Sequence, residues 1–289
     1  MCSNGFRLGL IMIITLVVGA CAGPQVQTTP TQKPVKVAVV LGAGAAKGFA
    51  HVGVLKVLEA QKVPINMIVG TSVGSFVGSL YAYGYDSYEL QKIAMSLERG
   101  DLSELTFPDK GFLKGERLRD FVNIKVKGTP MEKLKIPLYV VATNIKTGEE
   151  VVFASGNTGM AVQASSAIPG VFQPASFSGK SYVDGGVVNP LAADVARRYG
   201  ADMVIAVDIT TGIDQTVPTG TMEIIMKAVD IMYNKISQLT LGKADVVIKP
   251  KVGFVGAADF SRRNEAIMEG ERAALAAMPR INELLGRQR

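Results

Sequence analysis

The chain has 289 residues, with 31 Lys and Arg against 25 Asp and Glu, and its formal charge of +6 is dispersed in short clusters such as 110–119, 197–198 and 262–263. Without a basic stripe or interleaved aromatic residues, this balance argues against a nucleic-acid partner and describes a solvated face with weak attraction to anionic lipid. A single histidine and two cysteines, with no His/Cys/Asp cluster at ligand spacing, imply no metal site and no cofactor.

In chain order, Arg7 precedes an apolar run from Leu8 to Ala20, and the small residues Gly19 and Ala20 stand directly before Cys21. The run is too short for a bilayer span of ~20 residues and has the layout of a secretory signal. A cysteine after Val-Gly-Ala resembles a bacterial lipobox, in which that cysteine is lipidated and becomes residue one. Residues 1–20 are therefore expected to be a signal peptide. Residues 21–34, rich in Pro, Thr and Gln, are expected to be a lipidated tether without regular structure. Ala22 follows the cysteine where an aspartate would retain the protein at the inner membrane. By analogy with enterobacterial sorting, this points to the outer membrane, facing the periplasm. Neither cysteine is expected to form a disulfide: Cys2 leaves with the signal and Cys21 is consumed.

From Val35 to Arg289 the length suits one domain with a sizeable core. Strands are expected at Val35–Leu41, Asn66–Gly70, Ile136–Thr143, Met203–Ile209 and Asp245–Lys249. Helices are expected at Ala46–Ala60, Val73–Tyr83 and Thr221–Leu241. Continuous Val/Ile-rich strands alternating with helices predict an α/β fold of three layers, α/β/α, with a mostly parallel central sheet covered on both faces. Glu149–Ala154 reads as a hairpin return. Tyr85–Pro130 reads as a helical insert, either a lid or simple packing. The stripe Met222, Ile225, Met226, Val229 and Tyr233 has the spacing of a core face.

Ser72 stands at the centre of Gly70-Thr71-Ser72-Val73-Gly74, directly after the apolar run ending at Val69. That is the G-x-S-x-G layout of a nucleophile elbow, where a strand turns sharply into a helix and presents the hydroxyl. Side chains at Gly70 and Gly74 would collide with the neighbouring strand and helix. A Ser-His-Asp triad would have to use His51, but none of the three familiar chain orders is available: no histidine follows Ser72, and the first aspartate is Asp86. Either the serine is idle or its base is a carboxylate acting without histidine. Asp184, in Val183-Asp184-Gly185-Gly186, is a candidate for that base, and also a plain turn residue. The loop Gly42-Ala43-Gly44-Ala45-Ala46-Lys47-Gly48 closes one strand and opens a helix. Its spacing fits neither a dinucleotide fingerprint nor a P-loop, which leaves a set of backbone amides suited to an oxyanion.

These motifs together resemble the patatin-like phospholipases, especially the bacterial branch. The resemblance runs in order from the glycine loop through His51-Val52-Gly53-Val54-Leu55, the Ser72 elbow and Ser165-Ser166-Ala167-Ile168-Pro169-Gly170 to Val183-Asp184-Gly185-Gly186 with Asn189-Pro190. It implies a Ser72–Asp184 dyad hydrolase acting on lipid or other acyl esters at a membrane. Gly42, Ala43, Gly44 and Ala45 would form the oxyanion hole, with Lys47, Gly48, Gly70, Gly74, Gly185 and Gly186 as supporting motif residues. Many members carry glycines and an arginine where this chain has Ala43, Ala45 and Lys47. The alanines are expected to be tolerated if their φ is negative. The alternatives are a non-catalytic lipoprotein that keeps the fold as an interaction module, and a small-ester or thioester hydrolase. The sequence leaves the oligomeric state open.

Overall fold

The structure, a computed structural model, describes residues 35–105, 111–210, 212 and 217–286, so the signal peptide and the Cys21 tether lie outside the described residues. In chain order the elements begin with β1 (Val37–Leu41), α1 (Phe49–Ala60), β2 (Met67–Thr71), α2 (Val73–Tyr83), α3 (Ser87–Ser96), α4 (Arg99–Leu102), β3 (Glu104–Leu105), β4 (Leu113–Lys114) and α5 (Glu116–Lys125). They continue with β5 (Leu138–Asn144), β6 (Glu150–Phe153), α6 (Thr158–Ser165), β7 (Ala175–Phe177), β8 (Lys180–Asp184), α7 (Ala193–Arg198), β9 (Met203–Val207), α8 (Thr221–Thr240), β10 (Val246–Ile248) and α9 (Arg263–Leu284).

The central sheet runs β10-β9-β1-β2-β5-β8-β7, with β6 also on β5. It is parallel from β10 to β5 and antiparallel at β6, β7 and β8. Every residue of β1 is fully buried. Val37, Val39 and Leu41 pack with α1, α2, α3, α5 and α9 on one face, while Ala38 and Val40 pack with α7 on the other. A strand covered twice in this way needs no polar alternation, which is why the parallel strands read as unbroken apolar runs. Each fully buried Val, Leu or Ile contributes about 1.5–3 kcal/mol through the area it removes from water.

The expected strands differ from the observed ones by up to two residues at each end. The helix expected from Ala46 begins instead as a 3₁₀ turn, Ala45–Gly48, that runs into α1. The 85–130 insert is not wholly helical: α3, α4 and α5 are joined by the small antiparallel pair β3–β4, with residues 106–110 outside the described set. The start of α3 is fixed by a capping box, in which Asp86 accepts from the Glu89 amide while the Glu89 carboxylate accepts from the Asp86 amide.

One feature of the sheet register decides what meets what. β2 runs parallel to β5 and ends with Thr71 opposite Val141; β8 runs antiparallel to β5 and ends with Asp184 opposite Ala142. The two strands therefore run towards each other along β5, and their carboxyl ends converge on neighbouring rungs. Residues 112 positions apart in sequence are brought together by backbone pairing alone.

Candidate active site

Ser72 is the residue between β2 and α2, and its backbone has φ 54° and ψ −126°. Such a conformation is costly for a residue with a side chain, by about 1–3 kcal/mol, and persists where the surroundings over-determine it. The surroundings here are two close contacts. A Cβ at Gly70 would lie 2.5 Å from the Ser75 Cα, and a Cβ at Gly74 would lie 2.0 Å from the Leu41 carbonyl oxygen. The turn also holds Ser72 by its amide, which donates to the Ser165 hydroxyl at 2.8 Å; that hydroxyl donates in turn to the Val141 carbonyl at 2.6 Å. Ser72 caps the N-terminus of α2, where the helix dipole favours a developing negative charge.

The Ser72 hydroxyl donates to Asp184 Oδ2 at 2.5 Å, and Asp184 Oδ1 accepts from the Gly186 amide at 2.7 Å. Asp184 is completely buried. Burial pushes its carboxyl from the ordinary 3.8 up to about 6, against the opposing hydrogen bonds from Ser72 and the Gly186 amide and the lowering influence of the nearby Tyr233 hydroxyl. The aspartate is thus ionised at neutral pH yet basic enough to accept a proton from an attacking hydroxyl. A Cβ at Gly185 would lie 2.2 Å from the Val141 carbonyl oxygen, so the backbone beside Asp184 sits directly on β5.

His51 is buried on α1, and its Nε2–H donates to the Gly42 carbonyl at 2.8 Å. Burial lowers its pKa to about 4, so the ring is neutral. Its partner is the glycine loop and not Ser72.

The loop needs two corrections. Of the four residues expected to form the oxyanion hole, two have their amides in use: Gly42 N–H donates to the Val207 carbonyl at 3.2 Å, and Ala43 N–H to the Pro190 carbonyl at 2.8 Å. One bond ties the loop to β9 and the other to the segment before α7, so neither group is free for a ligand. The amides of Gly44 and Ala45 are engaged by no described residue, and both residues line a cavity with Ser72. The second correction is Ala45 itself, which has φ +50°. That is a left-handed conformation, so the negative φ on which tolerance of the alanine depended is not met at Ala45, the first residue of the 3₁₀ turn.

Lys47 is buried, and its ammonium is held by both carboxylate oxygens of Asp230 on α8 at 2.7 and 2.8 Å. A Cβ at Gly48 would lie 2.2 Å from Val73 Cγ2, so the loop also packs directly on the first turn of α2. The apolar stripe of α8 is part core and part cavity wall: Val229 and Tyr233 pack with Ala43, Ile168 and Val171, while Met222 and Met226 face the site.

Two cavities meet at Ser72. One, of about 640 Å³, is walled mostly by apolar side chains, among them Phe76 and Val77 of α2, Leu90 of α3, Leu97 just after it and Leu118 of α5. The other, of about 370 Å³, carries the free loop amides and the charged residues Lys47, Glu223, Lys227, Asp230 and Asp259. The insert supplies much of the apolar wall through α3, α4, β4 and α5. Sequence reasoning did not bring Asp230 or Tyr233 into the site, because nothing local marks either one. The only available hint was the amphipathic period of α8.

Fold and site define a three-layer α/β/α protein with a serine at a strand–helix elbow facing a buried aspartate. The chain matches the family model described as Patatin-like phospholipase over residues 39–197, more than half its length, and it belongs to that family. It is 36% identical over 177 residues to an NTE family protein of Mycobacterium tuberculosis, covering 60% of this chain and 49% of that one. It is 35% identical over 187 residues to Lysophospholipase NTE1 of Kluyveromyces lactis, covering 62% of this chain and 13% of that one. The chain thus spans about half the length of the mycobacterial relative and far less of the yeast one. Among solved structures it is similar to VipD from Legionella pneumophila, with a TM-score of 0.60 at 14% identity, covering 87% of this chain and 67% of that one. That likeness speaks to fold alone.

Proposed function

We propose that the protein is a serine acyl hydrolase that cleaves lipid acyl esters with Ser72 and Asp184. The observation that carries this reading is the 2.5 Å hydrogen bond from the Ser72 hydroxyl to a fully buried carboxylate at the junction of an apolar and a polar cavity. Ser72 Oγ attacks the ester carbonyl carbon while its proton passes to Asp184, and the Gly44 and Ala45 amides hold the carbonyl oxygen as it becomes anionic. The protonated Asp184 then gives its proton to the leaving alcohol oxygen as the C–O bond breaks. A water then attacks the acyl carbon and gives a proton to the same carboxylate, which returns it to Ser72 Oγ as the acyl–serine C–O bond breaks and the fatty acid leaves. The apolar cavity suits a fatty acyl chain, and the polar one suits the alcohol side of a phospholipid or lysophospholipid. The descriptions of the matched family and of the yeast relative agree with that substrate class.

The same reading takes residues 1–20 as a signal peptide, Cys21 as the lipidated residue, and 21–34 as the tether of a catalytic domain at 35–289. The tether would hold the domain on the cell envelope, at the outer membrane facing the periplasm. Two measurements test this. Purified protein should release fatty acid from lysophosphatidylcholine and from phospholipid vesicles, and Ser72→Ala should abolish that release. Turnover of short p-nitrophenyl esters alone would favour a small-ester hydrolase, and no turnover of any ester would favour an interaction module. Labelling of cells with a palmitate analogue should mark the wild type and not Cys21→Ser; label that survives the substitution would refute the anchor.

A further inference from the structure

Beyond the dyad, the structure holds a buried polar group that the mechanism above does not use. Tyr233 lies on α8, outside the family-matched residues 39–197. It is 4% exposed, and its hydroxyl has no partner at hydrogen-bonding geometry among the described residues. An unpaired buried hydroxyl costs about 1–3 kcal/mol and calls for a reason. The hydroxyl stands beside the Asp184 carboxylate, with which it interacts electrostatically, and the ring lines the polar cavity together with Ser72. The ring cannot easily turn away: a Cβ on Gly186 would lie 2.3 Å from its Cζ, so the glycine two residues after Asp184 is packed flat against it. α8 itself is pinned to the site by the Lys47–Asp230 pair and by Asn234, whose amide donates to the Thr210 carbonyl at 2.8 Å.

Resting on the hydrolase reading, we propose that Tyr233 is a positioning residue for the base: its hydroxyl is held over Asp184 as a further donor that keeps the carboxylate charged and aimed at Ser72. In the resting state the carboxylate is turned to Ser72 and the Gly186 amide. Once Ser72 is acylated it no longer donates, and the carboxylate loses one of its two regular hydrogen bonds. The Tyr233 hydroxyl beside it takes that place as a third donor, since hydrogen bonds that are long in a free site tighten during the reaction. The phenol remains a donor throughout, because burial pushes its own ionisation well above the usual tyrosine range. The other groups facing Asp184 are the Ser72 hydroxyl, the Gly186 amide and, at its backbone carbonyl, the Thr143 hydroxyl. Lys47 and Asp230 in the same cavity neutralise each other.

The test is the pH dependence of kcat, which reports the groups of the bound and acylated enzyme, for a p-nitrophenyl acyl ester in wild type, Tyr233→Phe and Tyr233→Met, with thermal unfolding of each. Both variants lack the hydroxyl, and the second serves if the first does not fold. Loss of a donor to the carboxylate should move the acid limb up by about one pH unit, a roughly tenfold loss of rate on that limb, while the plateau above it is retained. An active wild type with the limb unmoved in the variants, whatever happens to their unfolding temperature, would make Tyr233 a packing residue and overturn the inference. A wild type that turns over no ester would overturn the hydrolase reading and the inference with it.

Discussion

Asp184→Asn separates the cost of the buried base from its use. The carboxyl titrates near 6 in the fold against an ordinary 3.8, because burial disfavours its charged form. A group whose folded pKa is raised favours folding when protonated. Its contribution is fully present below pH 3.8 and is lost as pH rises through about 6. A gap of about two pH units at about 1.36 kcal/mol each makes the ionised aspartate cost the native state about 3 kcal/mol at pH 8. Asparagine is neutral throughout, can accept from the Gly186 amide, and can donate to the Ser72 oxygen, so it avoids the cost without leaving a group unpaired. The variant should therefore match the wild type at pH 4 and exceed it by up to about 3 kcal/mol at pH 8, or roughly 6–12 °C in Tm for a domain of this size. Unfolding by heat or denaturant at the two pH values measures it. A gain that is the same at both, or a variant less stable than wild type at pH 8, would refute the burial account of Asp184.

His51→Gln should keep most of the esterase activity, because the ring hydrogen-bonds the Gly42 carbonyl and not Ser72; the cost should be about 1–2 kcal/mol of stability, read by denaturant titration. Gly74→Ala should be among the most destabilising single changes, losing more than about 3 kcal/mol, since its Cβ would meet the Leu41 carbonyl oxygen at 2.0 Å. Gly100→Ala, where no atom of the described residues lies within 4 Å of the added carbon, should leave the thermal unfolding curve in place.

The parallel part of the fold was legible because β1, β2, β5 and β9 are buried almost throughout and are written mainly in apolar residues, Val, Ile, Leu, Ala and Met. The elbow was legible for a steric reason: only glycine fits at Gly70 and Gly74, so the motif carries its geometry in its spelling. The lone histidine was equally informative, because chain order alone removed every familiar triad. What could not be read is what depends on pairing between distant segments. The head-to-head approach of β2 and β8 along β5 has no local signature, since β8 looks like any hairpin strand ending in Asp-Gly. The loss of Gly42 and Ala43 as donors depends on the carbonyls of Val207 and Pro190, more than 140 residues away. The positive φ of Ala45 runs against alanine's own preference, so its sequence gives no sign of it. Tyr233 and Asp230 reach the site only because α8 folds back over the glycine loop. The helix α9 has a regular apolar series in Ile267, Ala274, Met278 and Ile281, masked by glycine, proline and many charges.

The central claim is that Ser72 is a nucleophile activated by Asp184 alone. Its most direct test is the intact mass and peptide map of folded protein treated with a fluorophosphonate probe. The account predicts one adduct, on Ser72, forming at near wild-type rate in His51→Gln, far more slowly in Asp184→Asn, and absent in Ser72→Ala. A folded wild type that gains no adduct, or an adduct that persists in Ser72→Ala, would contradict it.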